Sequence, residues 1–228
     1  DPIAALIPKL GGVKNEDVTL KYRVNLIVDN SKTEGAPVVV DYNPTYYNLV
    51  GEVEYDNEYG NLTTDFMKIK AGLMHKANGG YLIIQVQDLL SNVQAWEALR
   101  RIVKTREITI ENLRDQIGAI TVSSLKPEPI PADVKVILIG SSYYYELLRG
   151  YDEDFSKLFK IRADFDYEME RSNDNIYKIA GFISKFSKNE KTAPFDSTAV
   201  AAVIEYASRI VESQKKLSTR FNLITEIL

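Results

Sequence analysis

Residues 75–90 read HKANGGYLIIQVQDLL, and the apolar run Tyr81 to Ile84 empties into Gln85, Val86 and Gln87 before the first carboxylate, Asp88. Ligands of open α/β sheets dock outside the carboxyl ends of buried strands, so such an end is where chemistry is sought. An acid there can hold a divalent metal through water, and a second can polarise a water for attack on a phosphate. Gln85 accepts a hydrogen bond but carries no charge, and Val86 offers neither. A second strand end, after VKVILIG (134–140), presents Ser141, a hydroxyl of short reach. Phosphate binding of this class also needs G-x-x-x-x-G-K-[ST] opening a helix. The sequence lacks that string, and GGVKN at 11–15 has neither its spacing nor the hydroxyl after lysine. Asp88 falls where a helix starts and reads more simply as a first-turn carboxylate favoured by the helix dipole than as a displaced metal ligand. His75 is the only histidine and cysteine is absent; it reads as a hydrogen-bonded structural residue rather than a metal ligand.

The elements that must position these groups can be read from periodicity. KYRVNLIV (21–28) is β-like and ends on the turn Asp29-Asn30-Ser31, and a second β-like run covers Pro37 to Val40. Residues 51–70 alternate about a polar middle, which predicts a hairpin turning near Asp56 to Gly60. The continuous apolar run at 81–86 is the pattern of a strand covered on both faces. Val93, Trp96, Leu99, Ile102 and Val103 predict a helix from about Ser91 to Thr105. Three prolines in KPEPIPADV predict an irregular loop before the 134–139 strand, and a strand-like patch lies at 160–166. From Ser172 onward the pattern is three helices and no strand. Ile176, Ile179, Ala180, Ile183 and Phe186 share one face; a second helix starts at an Asp196 cap; a third starts at Ser218. An α/β layer over 1–168 and a small helical domain over 169–228 follow.

Composition narrows the function classes. The 228 residues carry a formal charge of -4, which gives no global attraction for nucleic acid or anionic membrane. No apolar stretch has the length of a membrane span. Absence of cysteine excludes disulfides and thiolate metal sites and points to a reducing compartment, the cytoplasm. The chain opens at Asp1 without a methionine, which reads as a piece of a longer protein with its phosphate loop upstream. Tyr46-Tyr47 and Tyr143 to Tyr145 read as packing residues. No serine pairs with a lysine on sequence grounds.

One further reading comes from likeness. Residues 43–90, NPTYYNLVGEVEYDNEYGNLTTDFMKIKAGLMHKANGGYLIIQVQDLL, contain Leu49-Val50-Gly51-Glu52-Val53, Gly72, His75-Lys76-Ala77 and Gly79-Gly80. With PEPIPADVKVILIG, DEDFSKLFKIRADFD and KLSTRFNLITEIL, this order of segments resembles the AAA+ module of Lon-family ATP-dependent proteases, in the Lon-like branch related to archaeal LonB. The resemblance implies a partial AAA+ three-layer α/β core followed by an all-helical lid. For the parent protein it implies ATP and Mg²⁺, a hexameric ring, polypeptide substrates, and a Ser-Lys dyad in a separate domain after Leu228. It places the Walker B acids on Gln85 and Val86 and sensor 1 on Ser141. The arginine finger falls on Lys160, a point charge without the guanidinium fork, and sensor 2 falls on Arg220, which otherwise reads as a solvated helix charge. Weak or absent ATP hydrolysis follows. The alternatives are a non-enzymatic oligomerisation or adaptor module of AAA+ shape, and a DNA-remodelling AAA+ module, against which the acidic balance argues.

Overall fold

The computed structural model describes residues 20–58, 61–112 and 125–228. The chain divides into two compact units, Asp1–Lys160 and Ile161–Leu228. In chain order the first carries β1 (Val38–Asp41), α1 (Tyr46–Val50), β2 (Gly51–Val53), β3 (Asp56–Glu58), β4 (Asn61–Thr63), β5 (Ile69–Ala71), α2 (Leu73–Lys76) and β6 (Tyr81–Gln85). It continues through α3 (Val86–Leu90), α4 (Val93–Thr105), β7 (Glu107–Ile108), β8 (Ile130–Pro131), β9 (Lys135–Ile139), α5 (Ser142–Tyr151) and α6 (Phe155–Leu158). The second unit carries β10 (Glu168–Glu170), α7 (Asn173–Asn189), α8 (Ser197–Ile210), β11 (Lys216–Ser218) and α9 (Phe221–Thr225). Among the described residues no helix is long and apolar enough to cross a membrane.

The first unit is organised by a parallel sheet of order β1-β6-β9 among the described residues. Strand β6 is central, with Val39 and Val136 flanking Leu82, and Asp41 and Leu138 flanking Ile84. Leu82 and Ile84 are wholly buried with Leu49, Met74, Leu89, Leu99 and Ile102, and each such side chain stabilises the fold by about 1.5–3 kcal/mol relative to exposure. The other face differs. Val38, Val40, Tyr81, Ile137 and Ile139 are 42–60% exposed. Strand β6, predicted to be covered on both faces, is therefore covered on one, and the described residues supply two layers rather than three. An apolar run records that both faces want cover but not whether the chain supplies it.

The predicted hairpin is present as a two-tier ribbon, β2 pairing with β5 and β3 with β4; residues 59–60 of its predicted turn lie outside the described residues. Its foot crosses the core at Gly51 and Gly72. A Cβ on Gly72 would meet the Leu49 carbonyl oxygen at 2.3 Å and the Gly51 nitrogen at 2.4 Å. Gly51 also has φ +93, a left-handed conformation open to glycine at little cost. Helix α4 matches its predicted span, capped by Asn92, whose side chain accepts from the Ala95 N–H at 3.0 Å. Val93, counted on its apolar face, is exposed. Asp152 ties this helix to the segment after α5. The buried carboxylate accepts from Trp96 Nε1 at 3.1 Å, from Arg100 at 3.0 Å and from the Asp154 N–H at 3.0 Å. Phe155 and Phe159 pack on the Trp96 ring.

Several segments depart from the sequence reading. Residues 21–28 form no strand: a 3-10 turn covers Leu20–Tyr22, and the extended chain after it has no ladder partner. It is held instead by the Asn25 amide, which donates to the carbonyls of Phe66 and Ile69 at 2.8 and 3.0 Å. Residues 160–166 are also without a ladder, and Ile161 and Phe165 are exposed; their apolar character never enters a sheet. The proline-rich loop is not wholly irregular, since β8 pairs with β7. The second unit is not all-helical, because β10 and β11 form an antiparallel ribbon. Ser218 ends β11, and the third helix starts at Phe221. A three-residue strand is too short to carry a readable period. The other helices match: Asp196 caps α8 by accepting from Ala199 N–H at 2.7 Å, and Ile179, Ile183, Val203, Ile204 and Ala207 form the buried core of this unit with Leu217 and Ile224.

Three substitutions test this packing. Gly72→Ala should lower unfolding free energy by about 1–3 kcal/mol or more, whereas Gly150→Ala, where an added Cβ meets nothing within 4 Å, should leave it unchanged or raise it by up to about 1 kcal/mol. Asp152→Ala should cost about 2 kcal/mol by leaving Trp96 Nε1 unpaired. Urea denaturation measures all three.

Candidate functional site

The site begins where β6 and β9 end side by side. Gln85 stands in register with Ile139, and the chain passes from β9 through Gly140 to Ser141, the residue preceding α5. Gln85 and Ser141 therefore reach the same edge from neighbouring parallel strands, and both are exposed. Each occupies the N-cap position of the helix it starts, yet neither side chain makes a capping bond. Val86 turns the other way. It is buried, and a Cβ placed on Gly140 would lie 3.2 Å from its own Cβ. Asp88 is exposed in the first turn of α3.

An acid does stand at a strand end, one the sequence reading passed over. Asp41 closes β1 opposite Ile84 and is buried. Its Oδ1 accepts from the Asn43 N–H at 2.9 Å and its Oδ2 has no partner. Because side chains alternate along a strand, Asp41 lies on the face of Leu82 and Ile84, while Gln85 lies on the opposite face. VVVDYN has the same form as YLIIQ, an apolar run ending on a polar group, and that was the available signal.

Lys160 is exposed two residues after α6, at the end of the first unit. Arg220 belongs to the second unit. Its guanidinium lies 4.8 Å from the centre of the Tyr167 ring, a cation–π contact, and its backbone N–H donates to Ser218 Oγ at 3.2 Å. The structure thus brings Gln85 and Ser141 together, with Lys160 in the same unit and Arg220 in the other.

His75 is buried in α2, and neither ring nitrogen has a partner among the described residues. The hydrogen-bonded role read from sequence is corrected: the ring is enclosed but unpaired, and burial pushes its pKa below the ordinary histidine value. Tyr46 packs as predicted, its hydroxyl donating to the Glu111 carbonyl at 3.2 Å, with burial raising its pKa and the Arg101 charge opposing. Among the described residues no group of three or more His, Cys, Asp or Glu stands together as a metal cage.

Comparison with known proteins bears on this arrangement. The family model described as "LonB-like, AAA domain" matches residues 34–166, and that described as "Archaeal LonB, AAA+ ATPase LID domain" matches residues 194–228. No curated protein sequence matches significantly. Solved structures of NtrX from Brucella abortus are similar at TM-score 0.46 and 16% identity, over 74% of this chain and 36% of that one. Its complex with ADP gives 0.43 and 14%, over 73% and 34%. Its complex with ATP gives 0.46 and 16%, over 74% and 34%. The chain spans about a third of the length of these structures, and a likeness so distant carries no functional weight. The family models cover more than half of the chain and both units, so the chain belongs to the LonB-like AAA family, as an AAA+ module with its lid.

Proposed function

We propose that this chain is the later part of an AAA+ core, residues 1–168, and its lid, residues 169–228, from a cytoplasmic ATP-dependent Lon-like serine protease, and that the module turns ATP over weakly or not at all. AAA+ domains bind ATP with magnesium in general. The observation that carries the reading of weak turnover is the end of β6: an uncharged amide at the exposed edge and a valine turned into the core. These residues do not fit a magnesium ion. Asp41 is buried on the other face of the sheet, and Asp88 lies in the first turn of α3, exposed. On this reading Gln85 and Val86 stand at the Walker B positions, Ser141 at sensor 1, Lys160 at the arginine finger and Arg220 at sensor 2.

The open sheet face supports a further segment of the parent. Purely parallel sheets occur almost only with both faces covered, and here five apolar side chains remain half exposed. A segment carrying the phosphate loop would supply the missing layer. The module then holds a hexameric ring together and gates entry of polypeptide substrates to a separate protease domain, with no role for nucleic acid or membrane. The same uncharged strand end also suits a non-enzymatic oligomerisation or adaptor module, and nucleotide binding separates the two: the parent of a protease module binds ATP, the adaptor does not.

Steady-state ATPase measurement on the full-length parent tests the proposal. The expected turnover is far below about 1 s⁻¹, the low end of ordinary enzyme rates. A rate at or above that value contradicts it.

A further inference from the structure

His75 is the one histidine of a chain without cysteine, so no other side chain of ordinary pKa changes charge between about pH 5 and pH 8. The ring is only 5% exposed, and both of its nitrogens are closed off from solvent without a partner among the described residues. A neutral imidazole carries one N–H and its cation carries two. A second proton therefore adds another unanswered donor, and a full charge, to a site that pairs neither.

The neighbouring groups do not relieve that cost. Helix α2 packs on α1, β1 and β5, whose titratable members are Tyr46 and Tyr47, Asp41, and Lys70. Lys76 beside it on α2 is exposed, and Arg23 and Glu128 line the cavity that His75 adjoins. Asp41 keeps Oδ1 on the Asn43 N–H. Burial holds the imidazole below the ordinary histidine value, and none of these charges counters it. Rolling the helix to bring the ring to water is also opposed, because α2 is pinned at both ends. At Gly72 the backbone crosses with no room for a Cβ. At Asn78 the side-chain amide donates to the Pro131 carbonyl at 3.0 Å and accepts from the Asp133 N–H at 2.8 Å.

We propose that His75 makes the first unit acid-sensitive: a single proton taken up by this enclosed ring loosens the unit in mild acid. The ring of the unfolded chain titrates near pH ~6.5 and that of the folded chain lower. Its contribution to stability is therefore complete above that value, falls as the pH drops through it, and levels off below the folded ring's own pKa. The inference does not rest on the nucleotide reading, since His75 does not lie at the ends of β6 or β9.

Two readouts on the full 228-residue chain test it. Trp96 is the one tryptophan and lies in the core of the first unit, so its fluorescence during urea unfolding follows that unit. From about pH 7.5 to about pH 5.5 the folding equilibrium constant should fall by more than about two-fold, and by at most about tenfold, the limit for one proton of pKa near 6.5 in the unfolded chain. In His75→Phe it should change by about two-fold or less over the same range. The single imidazole NMR signal of the folded chain should keep its neutral position at about pH 6, where the urea-unfolded chain is mostly protonated. A folded ring that titrates at or above about pH 6.5, a constant that falls by about two-fold or less, or an equal fall in His75→Phe overturns the proposal. The titration and the pH dependence are read on the unsubstituted chain, so a His75→Phe chain that fails to fold leaves the test decisive.

Discussion

The ladder on both edges of β6 is the constraint on which the rest of the first unit depends. With β1 on one side and β9 on the other, the strand cannot slide, and burial of Leu82 and Ile84 chooses its register. A slip of one residue would carry both into the open and turn Ile83 and Gln85 inward, a wholesale exchange of faces that the buried core opposes. Fixing Leu82 and Ile84 fixes Gln85 on the opposite face at the carboxyl edge, next to the path from Ile139 to Ser141. It also starts α3 at Val86 and points that side chain at Gly140. Which groups meet solvent at the edge is thus decided by packing one and three residues earlier.

Framework and chemistry separate cleanly here. The glycine crossing at Gly51 and Gly72 demands the absence of a side chain, and the Asp152 carboxylate answers three donors at once. Both are requirements of shape and hydrogen bonding, and neither involves a ligand. The edge residues Gln85 and Ser141 are exposed and make no capping bonds, so exchanging their side chains disturbs little else. The fold can therefore be kept while the groups at this strand edge change charge. The second unit shows the same division: its core of Ile179, Ile183, Val203 and Ile204 is apolar packing, while Arg220 rests on the Tyr167 ring.

What the sequence made legible follows from period and local chemistry. Strands β6 and β9 each hold a run of four apolar residues, Tyr81 to Ile84 and Val136 to Ile139, bounded by glycine or polar residues, and α4 announces itself through Trp96, Leu99 and Ile102. The Asp196 cap is legible because it depends on neighbours three residues away. The two extended segments misread as strands, 21–28 and 160–166, have β-like composition, but a strand also needs a partner, and pairing is not a local property. For 21–28 the substitute is the Asn25 amide, a bond spanning more than forty residues. A buried polar ring ordinarily has hydrogen bonds; that His75 has none among the described residues is visible only in three dimensions. Asp41 ends a segment of the same form as β6, an apolar run closing on a polar group.

An experimental structure of the full-length parent with ATP and magnesium tests the central claim most directly. The account predicts a nucleotide at the carboxyl ends of β6 and β9, Gln85 at the rim of its site, and a metal that draws no carboxylate from this chain. A metal held by Asp41 or Asp88, or a nucleotide bound away from that edge, would contradict it.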